Sequence, residues 1–200
     1  MKEWPDATIG LAKGKFQEAS TAAASRGTEI HDGLDDYSKN GELHPTDKVI
    51  ATSQKQVCEW LAEKGIDMRT VKAEHCVIFE GGITCEDGRV LEVKNGATAD
   101  LITRSLLADY KTVEMAANGK YYTGKPEHAA QLAFCRHAGA NDDICDRDAK
   151  CYNVYIDRTT GEIVHVREWT NEELDAALEF VGACYECDKA KAKLEGMIKQ

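Results

Sequence analysis

The sequence predicts a mixed α/β or α+β fold, a sheet flanked by helices, and three observations carry that expectation. Apolar residues recur at helical spacing before residue 65. Between about residues 70 and 112 the spacing shortens to the period of two that strands require, with turn residues between the runs. A helix, a hairpin and a capped helix then complete the chain.

In order, residues 15–38 are rich in Ala and Glu and read as a helix that Asn40-Gly41 terminates. Residues 46–64 read as a second helix. Thr46 and Asp47 offer caps, Val49, Ile50, Val57, Trp60 and Leu61 form an apolar stripe, and Gly65 closes it. Residues 70–80 alternate as a strand; Gly81-Gly82 and Glu86-Asp87-Gly88 read as turns. Residues 89–93, 97–103 and 105–112 read as three further strands. Residues 125–138 return to helix behind Pro126, a residue suited to a first helical turn. Cys151–Asp157 and Glu162–Glu168 form a hairpin around Arg158-Thr159-Thr160-Gly161. Thr170 and Glu173 fit a capping box ahead of a last helix reaching residue 198.

The 200 residues, 42% hydrophobic and 30% charged, suit one soluble domain over 1–200. Within it the reading places N-terminal helices at 15–64, a sheet and helix at 70–138, and a hairpin and helix at 151–198. No apolar run approaches the ~20 residues that span a bilayer. Met1–Asp6 lacks the apolar core of a signal peptide, so a cytoplasmic protein is expected. The eight cysteines are then expected to be reduced, several as small core residues, and a secreted disulfide scaffold is not expected. A net charge of -10 argues against a broad basic surface. A nucleic-acid groove would need only local Lys and Arg, whereas a metal site needs acids.

The chemistry concentrates between Asp100 and Lys111. Strand residues i and i+2 share a face, so Asp109 and Lys111 project side by side, with Asp100 across a tight turn. Two acids and a lysine at strand ends can hold a hard divalent cation and activate water against a phosphodiester. Gly27 and His31 lie four apart on one helix face. A mid-helix glycine costs about 1 kcal/mol relative to alanine and often marks close packing, although a histidine in an Ala-rich helix is more often plain surface or core. Gly96 opens the strand carrying Asp100, or simply makes a turn. Gln131 lies on the helix that follows the acids, and Glu74 on an earlier strand that either faces the same cluster or solvent.

Taken in order, these residues resemble the PD-(D/E)XK nuclease superfamily, in its RecB-like and phage-type exonuclease branch. Gly27 to His31 is similar to that branch's first motif and Gly96 to Asp100 to its second. Asp109-Tyr110-Lys111-Thr112 is similar to its third, and Gln131 to the glutamine of the following helix. The resemblance spans residues 20–136. It implies a restriction-endonuclease-like α/β core with a central mixed sheet, and a Mg²⁺- or Mn²⁺-dependent DNA exonuclease of recombination, repair or phage DNA processing, in a bacterial or phage-infected cell. It implies Asp100, Asp109 and the Tyr110 carbonyl as metal ligands with His31 at the outer edge. Lys111 would orient the attacking water and, if desolvated, serve as base; Gln131 would hydrogen-bond Lys111, the water or a phosphate; Glu74 joins the catalytic set. Arg26, Gly27, Gly96, Thr112 and Arg136 are expected to meet substrate, the glycines by letting backbone approach it, with Arg104, Lys120 and Lys125 as further phosphate contacts. DNA is the expected partner, with a recombinase or annealing protein besides; no membrane is expected. The branch's tyrosine four residues after the glutamine is here Cys135, for which Tyr121, Tyr122 or Tyr152 could substitute. An iron–sulfur cluster is not expected: Cys184 and Cys187 have ligand-like spacing, but no cysteine precedes Cys58. Helical spacing suits Cys184 and Cys187 equally to one buried face of the last helix. The alternative function is a catalytically weak or partner-dependent binding module on the same fold, which the acidic charge and Cys135 favour. A cysteine hydrolase is a weaker third reading, because strand alternation sends His75 and Cys76 to opposite faces.

Overall fold

A computed structural model describes residues 6–198, with side-chain surroundings from residue 21 onward except at 196 and 198. Met1–Pro5, on which the expectation of no signal peptide rests, lies outside the described residues. Helices α1 (Asp6–Asn40) and α2 (Lys48–Glu63) lead into strands β1 (Lys72–Thr84), β2 (Val90–Ile102) and β3 (Leu106–Val113). Then come α3 (Pro126–Asn141), β4 (Lys150–Asp157), β5 (Ile163–Trp169) and α4 (Asn171–Ile198). The five strands form one mixed sheet in sequential order. Only β3 and β4 run parallel. A parallel pair needs a crossover, and α3 provides it. None of the described helices is long and apolar enough to cross a membrane.

Each face of the sheet buries its own core. On one, Ile30 and Leu34 of α1 and Ile50, Val57 and Leu61 of α2 pack on Leu106, Ala108 and Tyr110 of β3 and on Val154 and Ile156 of β4. On the other, Leu132, Phe134 and Cys135 of α3 and Leu174 of α4 pack on Val77, Ala99, Leu107 and Cys151. The alternation of β3, Leu107 to one side and Ala108 to the other, is what sorts Asp109 and Lys111 together onto the α3 face.

The helix boundaries follow local chemistry. Gly41 (φ 74°) takes the left-handed position after α1, its N–H donating to Tyr37 O at 2.8 Å. The Asp47 carboxylate accepts the N–H groups of Val49 and Ile50. Thr170 and Glu173 close a reciprocal capping box, at 2.9 and 3.2 Å. Two expectations are corrected. Gly81-Gly82 is no turn but lies inside β1, and residues 89–93 and 97–103 are one strand, β2. The reason is packing across the ladder: a Cβ on Gly82 would stand 2.5 Å from Val90 Cγ1. The chain reverses instead at Glu86–Gly88, where Gly88 has φ 81°.

The β4–β5 turn docks on α2 through Gly161. It has φ 78°, and a Cβ there would stand 2.1 Å from the Val49 carbonyl oxygen, a backbone atom with little freedom to move. Gly161→Ala is therefore expected to destabilise the protein by about 3 kcal/mol, from the left-handed backbone and the overlap together. Urea unfolding would show it as a fall in midpoint, and an unchanged midpoint would contradict the packing described.

Candidate active site

The β2–β3 ladder is short. Only Leu101–Ala108 and Ile102–Leu107 pair, and it stops one residue before Asp100 and Asp109 would face each other. Beyond that point the two strands part. The Tyr110 N–H, left without a strand partner on that side, donates to Asp100 Oδ2 at 2.6 Å. The backbone around Asp100 is irregular as well. Ala99 packs towards α3 but Leu101 towards α1, so the alternation slips at Asp100. Opposite it in the register, Glu74 drops out of the ladder with φ 47°, a left-handed backbone that costs a non-glycine residue about 1 kcal/mol or more.

Side chains from both faces meet at this opening. From the α3 side, Lys111 Nζ lies 2.7 Å from Asp109 Oδ2 and donates to Gln131 Oε1 at 2.9 Å. Gln131 Nε2 donates to the Thr98 carbonyl of β2 at 3.1 Å, so one amide spans the split between β2 and β3. From the α1 side, His31 Nδ1 lies 3.5 Å from Asp100 Oδ1. Gly27, one turn before it, lets α1 come close to β3: a Cβ there would stand 2.8 Å from Thr112 Oγ1.

Asp109 is 1% exposed. Burial, and then the charge of Asp100, push its carboxyl up to about 7, against the pull of Lys111 and His31. Burial alone would lower the His31 imidazole, but Asp100 and Asp109 outweigh it and its pKa is raised. The donor chemistry fits a hard divalent cation: two carboxylates share a low-dielectric opening, and their mutual repulsion is what such an ion relieves. The described hydrogen bonds to the Asp109 carboxylate fall on Oδ2. Among the described residues no three His, Cys, Asp or Glu side chains are pre-assembled around one point.

The other sequence candidates take different places. Glu74 is exposed, and lines a small cavity with His31, Asp35, Asp100 and Tyr110. Thr112 packs against Gly27. Gly96 would meet only ordinary contacts if it carried a Cβ, so no protein neighbour demands glycine there. Arg26 pairs bidentately with Asp47 at 2.8 and 3.0 Å and also with Glu29, which binds α1 to the start of α2. Arg136 is corrected outright. It is 8% exposed and donates to Asn171 Oδ1 at 2.7 Å, joining α3 to α4 rather than facing substrate. Arg104 pairs with Asp143 and Asp146. Cys135 is buried, its thiol pushed up to about 12 by burial and then by Asp109. Tyr121 bonds Asp157, Tyr122 bonds Asn118 and Tyr152 bonds Glu168, so none of the three reaches Lys111 by a described hydrogen bond. Cys184 and Cys187 do not share a buried face; both are exposed on α4.

Four participants went unnoticed in the sequence. Asn153, fully buried, donates from Nδ2 to Asp109 Oδ2 at 2.8 Å, and Trp169 Nε1–H donates to Asn153 Oδ1 at 2.7 Å. Tyr155 stands beside Lys111 in the β3–β4 register, and His128 bonds it. The available signal was an asparagine inside the otherwise apolar run Cys151–Ile156, because a polar residue buried in a strand needs a partner.

No family model matches the chain, and no curated protein matches it. Among solved structures the chain is similar to one from Eubacterium rectale named "Putative exonuclease". The two are 11% identical with a TM-score of 0.48, the match covering 80% of this chain. The matched region spans 64% of the length of that structure.

Proposed function

We propose that the protein is a metal-dependent deoxyribonuclease of the PD-(D/E)XK type, acting as an exonuclease in recombination, repair or phage DNA processing. The observation that supports this most is the opening between β2 and β3. Two acids arrive there from the two parting strands, and Lys111 is held between Asp109 and Gln131. Asp100 and Asp109 would hold Mg²⁺ or Mn²⁺ together with the Tyr110 carbonyl, and His31 lies against Asp100 at the outer edge. When bound, the ion supplies charge neutralisation at the phosphate and a more acidic water.

The chain's own groups do the rest. Lys111 Nζ, which carries further donor hydrogens besides the one facing Asp109, hydrogen-bonds the attacking water and offsets charge developing on the phosphate oxygens. Gln131 fixes the reach of Lys111 by holding it against Thr98. Asn153, itself held by Trp169, keeps the Asp109 carboxylate from swinging away. The buried surroundings of Asp109 strengthen each of these interactions.

End-labelled single-stranded DNA, duplex DNA and RNA, each with Mg²⁺, Mn²⁺ or chelator, test the reading. Metal-dependent release of mononucleotides or short products from DNA ends is expected. No hydrolysis of any substrate with either metal would sink it. A second reading, a partner-dependent binding module on this fold, is favoured by one observation: Arg26 and Arg136 are both engaged within the protein, in a chain of net charge -10. DNA binding without hydrolysis, or only in the presence of a partner, would favour it.

A further inference from the structure

The face of α3 that carries Gln131 continues three residues earlier at His128. His128 Nδ1 lies 2.9 Å from the phenol oxygen of Tyr155. That phenol already accepts the Gly124 N–H at 2.7 Å. Tyr155 is 0% exposed, so its own O–H hydrogen needs an acceptor, and among the described residues His128 Nδ1 is the one in place. The tautomer follows: Nδ1 accepts, and Nε2 carries the hydrogen.

The surroundings keep the ring where it is. His128 and Tyr155 pack with centroids 5.8 Å apart, and Tyr155 stacks on His165 across the β4–β5 ladder, also at 5.8 Å. Tyr155 on β4 is the register partner of Lys111 on β3, so the phenol ties His128 to the strand paired with the one that carries the lysine. Burial, then the charges of Lys111 and Lys125, lower the His128 pKa against a smaller pull from Glu127, and the imidazole is neutral at neutral pH. Among the described residues Nε2–H has no hydrogen-bond acceptor, and that atom is not among the sealed polar atoms of the interior. A neutral ring locked in one tautomer, with its remaining N–H open beside two lysines, is a donor waiting for an oxygen acceptor of negative charge.

We propose that His128 Nε2–H binds a non-bridging oxygen of a nucleic-acid backbone phosphate next to the one addressed by Lys111, and that Tyr155 is the positioning residue that sets its tautomer. The proposal rests on the reading of the Asp100–Lys111 opening as a nuclease site. His128 thereby extends that site across the sheet, towards β4 and β5.

Two assays on the full chain test it. Steady-state hydrolysis of a defined DNA oligonucleotide with Mg²⁺ or Mn²⁺ separates KM from kcat. Fluorescence anisotropy of the same fluorescein-labelled oligonucleotide, single-stranded and duplex, with Ca²⁺ in place of Mg²⁺, reads binding alone. His128→Ala is expected to raise KM and the binding Kd about tenfold, the worth of one hydrogen bond to a charged group, with kcat little changed. His128→Gln, whose amide can still donate, recovers most of the loss. Tyr155→Phe weakens binding in the parent protein and adds nothing once His128 is Ala. Substituting single phosphates by neutral methylphosphonate identifies one position at which His128→Ala no longer matters. Wild-type hydrolysis with His128→Ala indistinguishable from it overturns this proposal and leaves the nuclease reading standing. Binding weakened by His128→Ala in a protein that hydrolyses nothing upholds the phosphate contact and overturns the nuclease reading. Additive effects of Tyr155→Phe and His128→Ala refute the positioning role, and a wild-type protein that binds no DNA refutes the whole.

Discussion

Lys111→Ala and Asp109→Ala will each lower metal-dependent DNA hydrolysis at saturating substrate by about 10³-fold or more. Lys111 is the ammonium in contact with Asp109, and its position is fixed from the other side by Gln131. Removing it leaves the developing charge on the phosphate without that partner, and leaves Asp109 and Asp100 to repel each other unscreened. Removing Asp109 takes away a carboxylate proposed to hold the metal and frees Lys111 to collapse elsewhere. Circular dichroism must show both variants folded for the comparison to count. Gln131→Ala should fall between these and wild type, because Lys111 survives it but loses its tether. Activity of either Ala variant within tenfold of wild type would remove this opening as the site of chemistry.

Asp109→Asn will make the metal-free protein more stable while abolishing hydrolysis. In the fold the Asp109 carboxyl stands at about 7, raised by burial and then by Asp100; in the unfolded chain it returns to the ordinary carboxylate range. Between about pH 4 and pH 7 the folded state keeps a proton that the unfolded state has released. Stability of the metal-free protein therefore falls as pH rises through that window and levels off above it. Asparagine carries no charge and can still accept from Asn153. At pH 8 it should raise the thermal midpoint by about 5 °C, the shift that ~2 kcal/mol produces in a chain of this size, and by much less at pH 5. Mg²⁺ or Mn²⁺ should raise the midpoint of wild type and leave that of Asp109→Asn in place. A midpoint for Asp109→Asn at or below wild type at pH 8 would mean that the ionised carboxylate is not the burden described.

The chemistry of single positions was the part of this fold most legible in the sequence. Asp47, Gly41 and the Thr170–Glu173 pair act within a few residues of themselves, so their roles need no tertiary information. Gly81-Gly82 misled because a glycine pair serves either a turn or a close cross-strand contact, and only the neighbour, Val90, decides which. At the candidate site the spacing of Asp109 and Lys111 and of Gly27 and His31 encodes direction directly, through the strand and helix periods. Asn153, Tyr155 and His128 stayed hidden because they depend on the parallel register of β3 with β4, which joins Asp109 to Asn153 across the whole α3 crossover. Arg136 was misplaced for a related reason. The helix that carries it lies between the sheet and α4, so the side away from the sheet is not solvent.

The contact of Gly27 with Thr112 and of His31 with Asp100 makes α1 a ruler laid across two strands. Four residues of helix advance about 6 Å and complete about one turn, so the interval between the glycine and the histidine sets both the distance and the direction at which α1 meets the two strands. What is constrained is then the count of residues between them more than their identity. One residue inserted there would turn His31 by about 100° around the helix axis, pointing the imidazole away from Asp100 while every side chain in the site kept its name.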